Sequence, residues 1–136
     1  MAVSFTPVFV QTPKVGLAQI LDTDGTNLIT LVTGGASGSK IVGIAVADKG
    51  GDAPNLELYV TRSGTSYHIG SSMVGASYGI GGAISWDAFF HSFEGLPVDS
   101  SGQKYFLLES GDTLDAAVTS ALARGPLHLM VIYGDY

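Results

Sequence analysis

Short runs of Val, Ile, Leu and Thr recur about every ten residues along the chain, each closed by Gly, Ser, Asp or Pro. That rhythm is the signature of short strands joined by turns in a sandwich or barrel. The run at residues 27–33 stops at Gly34-Gly35-Ala36-Ser37-Gly38-Ser39, and the run at 40–48 stops at Lys49-Gly50-Gly51-Asp52. Residues 55–62 alternate cleanly. Leu56, Leu58 and Val60 share one face while Asn55, Glu57, Tyr59 and Thr61 take the other, as in a strand with one buried and one wet side. Residues 66–69, 83–93, 104–109 and 126–133 continue the series, with Asp99-Ser100-Ser101-Gly102 as a turn. The pattern predicts an all-β fold, an antiparallel β-sandwich of about eight strands without internal repeats.

One segment reads two ways. In residues 112–125, Leu114, Ala117, Val118, Ala121 and Leu122 stand at helical spacing, with Asp112 as N-cap, Gly125 as stop and Pro126 beyond. The same residues form a strand with Leu114, Ala116 and Val118 inward, and periodicity leaves both open.

Two predicted strands carry apolar residues on both faces. In 83–93, Ile84, Trp86, Ala88 and Phe90 oppose Asp87, Phe89, His91 and Phe93; in 127–133, Leu127, Leu129, Val131 and Tyr133 oppose His128, Met130 and Ile132. A sandwich covers only the inner face of each sheet, so the second apolar face needs a neighbouring subunit or a loop of the same chain, such as the Gly-rich stretch 70–82. Residues 1–14 form a separate extended N-terminal arm ahead of a single sandwich domain at 15–136. Phe5, Val8, Phe9 and Val10 make this arm apolar, and Pro7 and Pro13 keep it from helix. Such a segment either forms a first strand or reaches a neighbour by strand addition, and the second is the expectation. The candidate subunit or capsid interface is therefore Phe5, Val8, Phe9, Val10, Phe89, Phe93, Met130 and Ile132.

Composition narrows the function. Charged residues make up 13% of the 136, against about 25% in an average soluble domain. The four Lys and two Arg are scattered singly in a chain of net charge −6, leaving no basic stripe for phosphates, so direct nucleic-acid binding is not expected. With no Cys, a disulfide scaffold, a thiolate zinc site and a thiol nucleophile are excluded. The N-terminus lacks a secretory pattern. Residues 63–86 contain no charge, yet six Gly and six Ser make a membrane span untenable.

The chemical motifs are weak. Gly75-Ala76-Ser77-Tyr78-Gly79 matches a nucleophile elbow without the helix that must follow it. The glycines before Lys40 fail phosphate-loop spacing, since Ser39 intervenes and no Ser or Thr follows. Asp22-Thr23-Asp24-Gly25-Thr26-Asn27 offers oxygens for Ca²⁺, but its Gly is early for an EF-hand loop and Thr33 stands where a bidentate Glu is required. His68, His91 and His128 are isolated in sequence, which favours hydrogen-bonded structural roles over metal ligation. No catalytic residue, cofactor or metal is expected.

Four phrases carry a family likeness: Leu58-Tyr59-Val60-Thr61-Arg62; Leu96-Pro97-Val98-Asp99; Phe106-Leu107-Leu108-Glu109 leading into Ser110-Gly111-Asp112-Thr113-Leu114; and the closing Val131-Ile132-Tyr133-Gly134-Asp135-Tyr136. Across residues 55–136 the chain resembles small β-sandwich virion proteins of tailed bacteriophages, of the head decoration or cement type. The resemblance implies a jelly-roll-like sandwich, located on the capsid surface, assembling as a homotrimer with the major capsid protein as partner, and neither enzymatic nor membrane-bound. It supplies no invariant binding residue. The competing expectation is a receptor- or glycan-binding module of a tail fibre, spike or baseplate, with Tyr67, Tyr78 and the 70–82 stretch as the binding surface.

Overall fold

A computed structural model describes residues 12–75 and 95–136. Among these lie eight strands: β1 (Thr12–Ile20), β2 (Ile29–Thr33), β3 (Ser39–Asp48), β4 (Asn55–Arg62), β5 (Thr65–Met73), β6 (Phe106–Leu108), β7 (Thr113–Val118) and β8 (Leu127–Asp135). One short 3₁₀ turn, Asp22–Asp24, follows β1.

The pairings are nested. β1 pairs with β8, β2 with β7, β3 with β6 and β4 with β5, each antiparallel. This is one long hairpin whose tip is the β4–β5 turn. Rolling the hairpin up adds the pairs β3·β8 and β4·β7, giving two four-stranded sheets of order β1-β8-β3-β6 and β2-β7-β4-β5. The result is the jelly-roll form of the antiparallel sandwich.

The alternating residues that drive it face one another across the two sheets. Ile41, Ile44, Leu127 and Val131 of the first sheet meet Leu56, Leu58, Leu114 and Val118 of the second in one core, all at most 2% exposed. In β4 the inward set begins with Leu56 and Leu58, as the alternation predicts. The 112–125 ambiguity resolves as strand: β7 occupies Thr113–Val118, burying Leu114, Ala116 and Val118 against the core between β2 and β4. Helix is lost there because two strands stand ready to take the backbone hydrogen bonds.

The glycine-rich stretch 70–82 needs correction at its start. Gly70 to Met73 continue β5, with Gly70 opposite Leu58, Ser71 opposite Glu57 and Ser72 opposite Leu56. Composition suggested a loop, but the paired edge of β4 overrides it. Residues 83–93 lie outside the described part, as do Phe5, Val8, Phe9, Val10, Phe89 and Phe93.

The two ends of the sandwich differ. At one end the connections 21–28, 49–54 and 119–126 meet: Asp52 accepts the Gly125 N–H at 2.7 Å, and the Val74 N–H reaches the Pro54 carbonyl at 2.9 Å. Asp48, 1% exposed, ends β3 by accepting the N–H groups of Gly51 and Ala53 at 3.0 and 2.8 Å. The opposite end holds Thr12, Tyr136 and the connections 34–38 and 109–112. There Gly34 is obligatory, because a Cβ would lie 2.2 Å from the Glu109 carbonyl oxygen. Arg62 grips Asp112 with two parallel bonds of 2.8 and 2.6 Å, and Lys14 meets Asp135 at 2.7 Å.

These ion pairs set the acid response. The Arg62 hydrogen bond, with the Glu109 N–H, holds the Asp112 carboxyl below its ordinary range; Lys14 and then Ser39 do the same for Asp135. Carboxyls depressed in the folded state add stability above the unfolded value of about 3.9, and that stability is lost as pH falls through the folded values. Urea unfolding at pH 7 and pH 3 is expected to show a lower midpoint in acid, with a smaller pH difference for Asp112→Asn. In the core, Leu58→Ala is expected to cost about 2–5 kcal/mol in the same measurement, since the site is fully buried.

Candidate functional site

The outer faces of the two sheets have opposite character. On the β2-β7-β4-β5 sheet, Thr61 and Thr113 donate to the Asp115 carboxylate, the Tyr59 hydroxyl donates to Glu57, and the Tyr59 and His68 rings lie 5.1 Å apart. Those polar groups largely satisfy one another, although Asp115 Oδ1 lacks a hydrogen-bond partner among the described residues.

The outer face of the β1-β8-β3-β6 sheet is apolar. In β1 the side chains alternate so that Gly16, Ala18 and Ile20 turn inward while Val15 and Leu17 turn out, 57% and 78% exposed. Register then builds two rows across three strands. Val15, Ile132 and Gly43 stand side by side in one, and Leu17, Met130 and Ala45 in the next. Ile132 is 43% exposed and Met130 half-buried. Beyond Leu17 the surface becomes mixed, with Gln19 and His128 bordering an open depression of about 440 Å³.

The rows are bounded on the β6 side by the segment between 96 and 105. The Gln103 side chain donates to the Val42 carbonyl at 2.9 Å, Lys40 meets Asp99 at 3.2 Å, and the Lys40 ammonium lies 4.7 Å from the centre of the Tyr105 ring. Asp99 also accepts the N–H groups of Ser101 and Gln103, the turn expected from Asp99-Ser100-Ser101-Gly102. Gln103, then Lys40 and Ser101, hold its carboxyl below the ordinary range. On this side the outer face has a polar rim.

Of the interface residues expected from sequence, Met130 and Ile132 stand together at the centre of this face, and the other six lie outside the described residues. Val15 and Leu17 were missed. Their signal was the alternation Val15-Gly16-Leu17-Ala18, which places the larger apolar residues on the exposed side.

The weak chemical motifs dissolve into backbone structure. Asp24 accepts the Leu21 N–H at 2.7 Å and Asp22 the Thr23 N–H at 2.9 Å, so the acids beyond β1 cap their own turn. The Gly34 N–H bonds the Asp112 carbonyl and the Gly35 N–H bonds Ser39, which removes them from any phosphate cradle. His68 and His128 belong to different sheets, while His91 and residues 76–79 lie outside the described part. No described group of three or more His, Cys, Asp or Glu is placed to hold a metal. Tyr67 is exposed on β5, while Tyr78 is outside the described residues.

No protein-family model matches this chain, and no curated protein matches it. Solved structures similar to this chain include two from viral particles. A chain of the acidic stable capsid structure of Helicobacter pylori bacteriophage KHP30 is 12% identical, with a TM-score of 0.45, covering 92% of this chain and 88% of that one. A chain of the giant freshwater prawn Macrobrachium rosenbergii extra small virus (XSV) VLP is 13% identical, with a TM-score of 0.32, covering 99% of this chain and 87% of that one.

The exposed rows contribute little to the isolated fold. Leu17→Ser is expected to change the unfolding free energy of the dilute protein by less than about 0.5 kcal/mol, as surface substitutions do. In sedimentation velocity at high concentration the same variant is expected to run as a smaller species than the parent.

Proposed function

We propose that the chain is a non-enzymatic structural protein of a bacteriophage virion: a capsid decoration or cement protein that binds the major capsid protein lattice as a homotrimer and stabilises the head. The observation that carries this reading is the apolar outer face of the β1-β8-β3-β6 sheet, where Val15, Leu17, Met130 and Ile132 form adjoining rows. Exposed apolar patches with a polar rim mark interaction surfaces. The sequence resemblance at residues 55–136 and the jelly-roll order of the strands point the same way.

A clamp of this kind does not need one strong contact. When several copies grip a repeating lattice, the second and later contacts become intramolecular, so modest patches add up to firm attachment. The low charge of the chain fits burial of the arm and of this face at contacts between proteins. Phe5, Val8, Phe9, Val10, Phe89 and Phe93 join Met130 and Ile132 as the proposed contact set, on the capsid surface.

Incubating the purified protein with undecorated capsids tests the reading. Co-sedimentation and a raised shell melting temperature are expected, and both are expected to weaken for Ile132→Asp. A protein that is folded yet neither sediments with capsids nor shifts their melting overturns it.

A further inference from the structure

The outer face of the β2-β7-β4-β5 sheet carries a notch. On one side β7 pairs with β2 only as far as Ala116 opposite Ile29, whereas on the other it continues against β4 to Val118 opposite Leu56. Beyond Ala116 the connection 21–28 flanks β7 in place of a ladder. This leaves an open depression of about 490 Å³, a volume in the range of small-ligand sites, with Glu57 and Tyr59 on the β4 side, Thr26 and Leu28 on the other, and Ala117 and Thr119 between them. Ala117, opposite Glu57 and 5% exposed, keeps the floor low.

The aromatic wall is fixed from two directions. The Tyr59 hydroxyl donates to Glu57 Oε2, and the Tyr59 ring lies 5.1 Å from the His68 ring at an angle of 54°. A side chain held in this way loses little further freedom when a ligand binds. The polar groups left over are Glu57 Oε1 and the hydroxyls of Thr26 and Thr119, none of which has a hydrogen-bond partner among the described residues. No Lys, Arg or His lines the depression. These groups select a chemistry. A carboxylate with no cation beside it repels phosphate, sulfate or a second carboxylate. Ammonium and guanidinium groups carry donors only, so they answer Glu57 but offer the threonine hydroxyl protons no acceptor. A hydroxylated ring supplies donors to Glu57, donors and acceptors to the threonines, and an apolar C–H face to Leu28 and the Tyr59 ring.

We propose that this depression binds a neutral pyranose sugar, with Glu57 Oε1 accepting from a ring hydroxyl, Thr26 and Thr119 bonding neighbouring hydroxyls, and the C–H face of the ring against Tyr59 and Leu28. The site belongs to the sheet opposite the apolar rows. A copy attached through Val15, Leu17, Met130 and Ile132 turns this depression outward, and many copies on one particle present many weak sugar sites together, so that avidity makes up for a modest single contact. That display rests on the assembly reading above; the binding itself does not.

Titrating the isotope-labelled full chain with methyl glucoside, methyl galactoside and methyl mannoside, followed by amide-resolved NMR, tests the assignment. Saturable shifts centred on Glu57, Tyr59, Ala117 and Thr119 are expected with at least one glycoside. Glu57→Gln, which keeps the shape of the wall and removes its charge, is expected to weaken that binding about tenfold, as the loss of a hydrogen bond to a charged group does. Ala117→Val, which raises the floor with a residue suited to a strand, is expected to abolish it at an unchanged melting temperature. Absence of shifts with all three glycosides, shifts centred elsewhere, or unchanged affinity in Glu57→Gln overturns the site. Methylguanidinium binding to the same amides more tightly than every glycoside overturns the choice of a neutral sugar. No capsid is present in these measurements. Glycoside binding without capsid binding would therefore sink the virion reading alone, and capsid binding without glycoside binding would sink the sugar site alone.

Discussion

Everything in this sandwich hangs on its last strand. β8 pairs along its length with β1 on one side and β3 on the other, so residues 127–135 join the first strand of the chain to the third. Leu127, Leu129 and Val131 complete the core from that position, each at most 2% exposed. Until β8 is in place, β1 has no ladder partner and the inner face of its sheet lacks its centre. The closure is made over more than a hundred residues of sequence, so the loop entropy it must overcome is large and the inner faces have to be strongly apolar. The nested pairing answers this in stages, since β4·β5 is local and each outer pair is brought closer by the one inside it.

The same strand links the fold to assembly. With a side-chain period of two, the inward set Leu127, Leu129 and Val131 fixes the outward set His128, Met130 and Ile132 with no freedom to adjust. Apolar residues in the outward set are therefore a separate feature of the sequence, and β1 repeats it with Val15 and Leu17. The outer face of the opposite sheet is polar instead: threonines, the buried Asp115, and the Tyr59–Glu57 pair bonded among themselves. Many of the charges cluster at the ends, in Lys14–Asp135, Arg62–Asp112 and Arg124–Asp52, or at the rim in Lys40–Asp99. The low charge of the chain is thus concentrated where the sandwich is pinned and is absent where the apolar rows run.

How far the sequence could be read depended on burial. β4 was legible to its boundaries, because one face is core and the other polar. β3 and β8 were legible as elements, with limits one or two residues off. β7 was ambiguous, since its small alanines fit either period and only its neighbours β2 and β4 decide. β5 was read short, as 66–69 against Thr65–Met73, because an edge strand with most side chains exposed shows no alternation. β1 was absorbed partly into the arm, for its large residues are outside and its small ones, Gly16 and Ala18, inside. That inversion hid the strand, and it is the same property that makes its outer face a contact surface. At Asp22, Asp24 and Gly34 the groups that drew attention in the sequence bond to nearby backbone.

The central claim is that the outer face of β1, β8 and β3 is covered when the protein is assembled. A cryo-EM reconstruction of particles carrying the protein measures this directly. The account predicts density of another chain lying over Val15, Leu17, Met130 and Ile132. Particles in which these residues face solvent, with the protein held through its polar sheet or its loop ends, would contradict it.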